Sequence, residues 1–231
     1  MNIAIYDLDN TITSRPTFTL FLLFYARQAA PFRLAGLPIW IMALLGYRLG
    51  LYSRKPLKQF GIAMFMGTKI CPDMLSGIAA QFASNVVSGG LQPGAVERIS
   101  LDRKRGAMLV LATAAPEFYA RTISEMLGFD AVVATRHVVA VDGQVTNRID
   151  GENCYAAEKR RRIEEWMQQN SIDRAQADIC FYSDDLSDRP ALDFADKGYA
   201  INASGKFAKV APIAGWDSLN FRQARGANNG H

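Results

Sequence analysis

Between residues 14 and 88 this chain has almost no negative charge. A single acid, Asp73, stands against Arg15, Arg27, Arg33, Arg48, Arg54, Lys55, Lys58 and Lys69. The segment is +7 in a 231-residue chain of net charge +4, so the remainder is −3. A region so poor in acids is a bad trap for an ammonium group and a good one for an anion. Cysteine is scarce too. Cys71, Cys154 and Cys180 are odd in number and far apart. That spacing excludes a disulfide framework or a closed zinc site, and it points to a reducing compartment, the cytoplasm. No apolar run reaches the roughly 20 residues that a membrane-spanning helix needs. The long run at residues 34–47 has 14 residues and is interrupted by Pro38. No internal repeat is visible. The first residues enter an apolar strand at once, so no signal peptide is expected. The tail from about residue 222 is expected to be disordered.

What the chain does have is chemistry at strand ends. Ile3-Ala4-Ile5-Tyr6 reads as a buried strand and runs into Asp7-Leu8-Asp9-Asn10-Thr11. Carboxylates at the edge of a core need a cation or hydrogen-bond donors to balance them. Strand alternation would point Asp7 and Asp9 to one side. There the pair can hold a divalent cation and leave one carboxylate to attack. The same pair also occurs in turns after strands, where Asp and Asn are favoured. Two further strand ends add weight. The apolar run at 107–112 ends in Thr113, and the run at 178–182 ends in Ser183-Asp184-Asp185-Leu186-Ser187-Asp188. Between them, Glu158-Lys159-Arg160-Arg161-Arg162 opens an amphipathic helix.

Strands are expected at 3–7, 107–112, 131–134, 178–182 and 198–201. Helices are expected over 94–105, 116–127, 155–169 and 187–195, with a hairpin at 137–149 around Asp142-Gly143. Strands alternating with helices predict an α/β fold with a doubly wound parallel sheet. Residues 1–13 and 89–231 would form this core, and residues 14–88 an inserted helical cap.

In this order the motifs resemble those of the haloacid dehalogenase superfamily. Within it they look most like subfamily IB, which includes phosphoserine phosphatase and phosphatidylglycerophosphatase C. The likeness covers residues 1–13 and 89–215. It is carried by the DxDxT stretch from Asp7 and by Ala112-Thr113-Ala114-Ala115-Pro116-Glu117-Phe118-Tyr119. Gly151-Glu152-Asn153-Cys154 before Lys159, and Tyr182 through Asp188, complete it. The resemblance implies a Rossmann-like core and a Mg²⁺-dependent phosphomonoesterase working through an aspartyl phosphate. Asp7 is implied as nucleophile, Asp9 as general acid and then base, Thr113 as donor to a phosphoryl oxygen. Lys159 is implied as charge partner of Asp7 and the phosphoryl group. Mg²⁺ would be held by Asp7, the main-chain carbonyl of Asp9 and Asp184, with Asp188 holding metal-bound water or Lys159. Thr11, Ala114 and Arg15 join Thr113 as implied substrate contacts. Two residues have ordinary alternatives: Asp188 suits a helix start, and Lys159 lies in the kind of basic run that usually makes a solvated face. Ser183, Asp185 and Ala115 depart from residues common at those positions in relatives.

The cap is where substrate choice should lie. Its apolar runs, 19–26 and 34–47, are edged by basic residues. They are expected either to pack on each other as a core or to meet the anionic inner face of a membrane, with Trp40 and Tyr47 at the interface. Phosphoserine phosphatases carry a glutamate shortly after their DxDxT motif for the ammonium of the substrate. Here Ser14-Arg15-Pro16-Thr17 follows. The reading therefore favours an anionic or lipid phosphate such as phosphatidylglycerophosphate over phosphoserine or a soluble metabolite. A nucleic-acid-binding module and a catalytically inactive relative are the other classes weighed. No RNA-binding signature is present, no nucleic acid is expected as a partner, and the full set of acidic and basic motif residues is there.

Overall fold

The computed structural model describes residues 1–224, so the expected disorder of the tail lies, from residue 225 onward, outside the described residues. In chain order the elements are β1 (Asn2–Tyr6), α1 (Thr17–Ala29), α2 (Leu37–Arg48), α3 (Arg54–Phe65), β2 (Lys69–Ile70), α4 (Pro72–Gly89) and α5 (Pro93–Lys104). Then come β3 (Met108–Pro116), α6 (Glu117–Met126), β4 (Ala131–Thr135), β5 (His137–Val139), β6 (Val145–Ile149) and α7 (Ala157–Gln169). Last are β7 (Asp178–Ser183), α8 (Arg189–Leu192), β8 (Lys197–Ile201), α9 (Gly205–Ile213) and β9 (Asp217–Leu219).

Six strands form one parallel sheet in the order β4-β3-β1-β7-β8-β9. β1 lies between β3 and β7, with Tyr6 opposite Leu111 on one side and Tyr182 on the other. A central strand buried on both faces reads as a continuous apolar run, and Ile3 to Tyr6 do. Ile3 and Ile5 join the layer of Ile163, Met167, Leu192 and Phe207. Ala4 and Tyr6 face the other way, toward Ile99, Tyr119 and Ile123. Strand order reverses about β1, and in open α/β sheets that switch point is where a crevice opens at the strands' C-terminal ends.

The expected doubly wound sheet is present, with differences at its margins. The hairpin β5–β6 forms, but five residues join its strands and Gly143 takes a φ of +81° among them. A third strand, β2, pairs with β6; two residues are too few to carry a periodic signal. The helix expected over 187–195 shrinks to α8, because Pro190 suits only a first turn. α9 and β9 were not anticipated.

The inserted segment contributes α1 to α4. α4 packs along α6 of the core layer, while α2 and α3 pack near α1. Trp40 is fully buried. Its ring meets Phe65 edge-on at 6.1 Å and lies so close to α3 that a Cβ on Gly61 would fall 2.8 Å from it. Of the two alternatives expected for Trp40, core packing is the one its burial matches and the interfacial position is not: glycine at 61 opens a slot that takes the whole indole. Trp40→Ala should lower stability by about 3–5 kcal/mol, read as a drop in thermal midpoint by circular dichroism.

Candidate active site

Asp7 follows β1 directly. Its N–H donates to the carbonyl of Tyr182 (2.9 Å), which extends the parallel ladder by one residue. Alternation then sends its side chain to the Ile3–Ile5 face, where α7 begins. The chain enters α7 through Ala156 at φ 54° and ψ −126°, a positive-φ conformation outside the helical wells that strains a non-glycine residue. Three residues on, Lys159 is 2% exposed. Its Nζ donates to Asp7 Oδ1 at 2.7 Å and to Asp188 Oδ2 at 2.6 Å. Burial alone would lower the Lys159 pKa, but the charges of Asp188 and Asp7 outweigh it and hold the ammonium well above its ordinary value. Burial pushes the Asp7 carboxyl up, against the pull of Lys159, and Asp188 and Asp184 push it further.

Asp188 is fixed from a second side, since Ser183 Oγ donates to its Oδ2 at 2.8 Å. The serine that departs from the common residue therefore becomes a support. Asp184 exchanges two hydrogen bonds with Thr11: its N–H donates to Thr11 Oγ1 (3.0 Å), which donates back to Oδ1 (3.2 Å). Burial, and next the charge of Asp185, raise Asp184 to about 6. β3 runs past the expected end to Pro116, and Thr113 is buried within it, where the pairing with β4 shifts register after Ala112; it accepts from the N–H of Ala115 (3.0 Å), so its own proton can be donated.

Asp9 does not share a face with Asp7. β1 stops at Tyr6, and a tight turn follows, with the N–H groups of Ile12 and Thr13 both on the Leu8 carbonyl. Asp9 turns toward the cap instead. Its Oδ1 accepts from Thr17 N (2.8 Å) and Thr17 Oγ1 (2.6 Å), and Tyr119 OH lies 3.1 Å from that hydroxyl. The expectation of alternation is corrected here, because it assumed a strand two residues longer. Both carboxylates still line one cleft of about 240 Å³, together with Thr113, Ala114, Lys159, Asp184 and Asp188.

Two of the expected substrate contacts lie elsewhere. Arg15 is exposed and lines a separate groove with Leu20, Phe24 and Phe82, because the turn after Thr13 carries it outward. Thr11 is fully buried beneath Asp184, so it orients that carboxylate rather than touching a ligand. Conversely, the cleft gains Arg54 and Lys58 from α3. Lys58 donates to Asn153 Oδ1 (2.7 Å) and to the Ala114 carbonyl. Burial lowers it to about 7 against the pull of Asp9. Its signal was present in the sequence: Lys58 falls in register with the buried positions Ile62 and Phe65.

Asp7 and Asp188 share the one ammonium of Lys159, Asp184 lies in the same cleft, and Asp188 Oδ1 is buried without a partner. This negative excess suits an added cation. Among the described residues no three His, Cys, Asp or Glu side chains form a metal-binding group. Mg²⁺ does not need such a group: it takes one or two carboxylates and completes its shell with water and phosphate. Of the four expected metal residues, Asp9 is bonded through Oδ1 to Thr17 and Asp188 through Oδ2 to Lys159 and Ser183, while Asp7 and Asp184 line the same cleft.

The family model of haloacid dehalogenase-like hydrolases matches residues 4–193, from β1 through α8. The chain belongs to that family. Protein CicA of Caulobacter vibrioides (strain NA1000 / CB15N) is 29% identical over 198 residues, covering 85% of this chain and 84% of that protein. A protein of unknown function from Bordetella pertussis Tohama I has the same fold, with a TM-score of 0.84 at 22% identity over 95% of this chain and 98% of that one. A phosphoserine phosphatase solved with an analogue of its phospho-aspartyl intermediate shares the fold at a TM-score of 0.60 and 16% identity, over 96% of this chain and 93% of that one.

Two predictions follow from the charges of this hydrolase. Lys159→Met leaves two buried carboxylates without their cation and should destabilise by about 3–5 kcal/mol. Adding Asp188→Asn should recover part of that loss in chemical denaturation, and the single variant should gain stability as pH falls and its carboxylates take up protons. His137 is the second. Burial, then the charge of Lys58, lowers its pKa to about 4, while the unfolded chain protonates near the ordinary value of about 6.5. Its contribution is complete above pH 6.5 and is lost as pH falls toward 4. His137→Phe, packed on Phe118, should flatten that part of the stability–pH curve.

Proposed function

We propose that this hydrolase is a Mg²⁺-dependent phosphomonoesterase that works through an aspartyl phosphate on Asp7. One observation carries the reading: Asp7 is held by a buried lysine at the floor of a cleft, beside a second acid oriented from the opposite side. Bound Mg²⁺, on Asp7, Asp184 and the Asp9 carbonyl, would offset the repulsion between an anionic nucleophile and an anionic ester. Asp7 attacks phosphorus as the bond to the leaving oxygen breaks. Asp9, pinned through Oδ1 by Thr17, has Oδ2 to give that oxygen its proton. It then takes a proton from the water that cleaves the acyl phosphate, releasing inorganic phosphate and restoring Asp7. Lys159 and Thr113 stabilise the charge on the phosphoryl oxygens.

The substrate class follows from the walls. Phe18, Trp40, Leu44 and Leu57 are apolar, Arg54 and Lys58 are basic, and the acids in the lining are Asp7, Asp9 and the 184–188 cluster. An ammonium group finds no separate carboxylate, so an anionic ester with an apolar portion, such as the lipid phosphate phosphatidylglycerophosphate, fits better than phosphoserine. The same reading has the acid-poor cap meeting an anionic membrane from the cytoplasmic side.

Phosphate release should be measured with Mg²⁺ on a lipid phosphate, phosphoserine, nucleotide monophosphates and p-nitrophenyl phosphate. Turnover should fall by about a thousandfold or more in Asp7→Asn and vanish with chelator. Beryllofluoride should bind at Asp7; a phosphate mimic bound elsewhere rejects the assignment. A preference for phosphoserine would overturn the substrate class and leave the chemistry standing. Thr17→Val keeps one of the two bonds to Asp9 and should lower kcat by about tenfold with little change in KM.

A further inference from the structure

α2 is apolar on two opposite sides. Trp40, Leu44 and Tyr47, spaced by four and three, form the side that lines the cleft. Ile41, Met42, Leu45 and Leu49 lie on the other side and are 50%, 66%, 45% and 77% exposed. Phe32, in the 3-10 turn before α2, and Leu51, after it, are as exposed. Single apolar residues on a surface are ordinary, whereas a contiguous patch marks an interaction site.

The charge around this patch selects its occupant. No acid occurs from Asn10 through Pro72, and Arg27 and Arg48 are exposed at the ends of α1 and α2. A second copy of this chain would set these arginines near their own equivalents, with no acid in the segment to answer them. Anionic lipid headgroups answer them. Among the described residues no helix is long and apolar enough to cross a membrane, so α2 would lie in the plane of the interface.

We infer that the outer face of α2, flanked by Phe32 and Leu51, is a docking surface for an anionic lipid bilayer. This rests on the reading of the enzyme as one that works at such a membrane, and it identifies the surface. Because the opposite side of α2 walls the cleft, docking through the outer face brings a helix of the active site to the membrane surface. A cleft of about 240 Å³ takes a phosphorylated headgroup but not its acyl chains, which would stay in the bilayer.

The test uses the full chain in flotation with phosphatidylcholine vesicles, with and without phosphatidylglycerol. The wild type should float only with the anionic vesicles and lose binding at high salt. Met42→Glu/Leu45→Glu, both outside the cleft, should weaken binding by about tenfold or more while p-nitrophenyl phosphate turnover is unchanged. Equal flotation of variant and wild type overturns the inference. So does a wild type that ignores anionic vesicles, or one that light scattering shows to be a dimer split by the substitution. Failure to bind vesicles with intact hydrolysis of soluble esters defeats the docking surface alone. Vesicle binding lost in the variant, with no phosphate release from any ester, supports the surface and defeats the catalytic reading.

Discussion

A single lysine ties the catalytic floor together. Removing an ammonium from water costs several kcal/mol, and Lys159 is tolerable at 2% exposure only because Asp7 and Asp188 both accept from it. The three groups come from β1, α7 and the turn after β7, more than a hundred residues apart at the widest. None could be buried alone. Their mutual neutralisation therefore constrains the register of β1 against β7 and the point at which α7 must begin, and Ala156 takes a strained, positive-φ conformation at that entry. The balance is incomplete: two carboxylates share one positive charge, and Asp184 adds a third. That residual excess is the physical reason the site suits a divalent cation and a phosphoryl group.

The second acid is built from the other direction. Asp9 is aimed by Thr17, at the start of α1, with Tyr119 of α6 behind it. Lys58 from α3 reaches back to the Ala114 carbonyl and Asn153. The inserted helices are thus more than a cover over the cleft. They hold one half of the acid–base machinery, and they bring the cationic groups that the core does not supply. Removing or shifting α1 and α3 would leave Asp7 and its lysine intact while disorienting Asp9.

The strand ends were legible because burial and chemistry coincide there: an apolar run stopping at a carboxylate has few explanations. Lys159 was legible through the family resemblance, by its place after Gly151-Glu152-Asn153-Cys154, although its basic neighbours disguise it as a surface residue; Arg160 and Arg161 are exposed as expected of such a run, whereas Arg162, expected beside them on the surface, is buried and donates to the carbonyls of Ala134, Asp150 and Glu152. Asp9 was placed on the wrong face because alternation holds only while a strand lasts, and β1 ends at Tyr6. Arg15 was carried away from the cleft by the same turn. Thr11 and Ser183 have their roles through side-chain hydrogen bonds to other acids, which no one-dimensional pattern encodes. Lys58 was recoverable, since a lysine in register with buried apolar positions must find partners inside.

The apolar cap shows why composition alone could not choose between a packed core and an exposed face. α2 is apolar nearly all round, so its sequence has no polar side to mark which way it points. The direction is decided by a neighbour, Gly61, whose missing side chain admits Trp40 and thereby turns Ile41, Met42 and Leu45 outward. Core packing and an exposed apolar ridge are then not rival descriptions of the segment. They are the two sides of one helix, and the first produces the second.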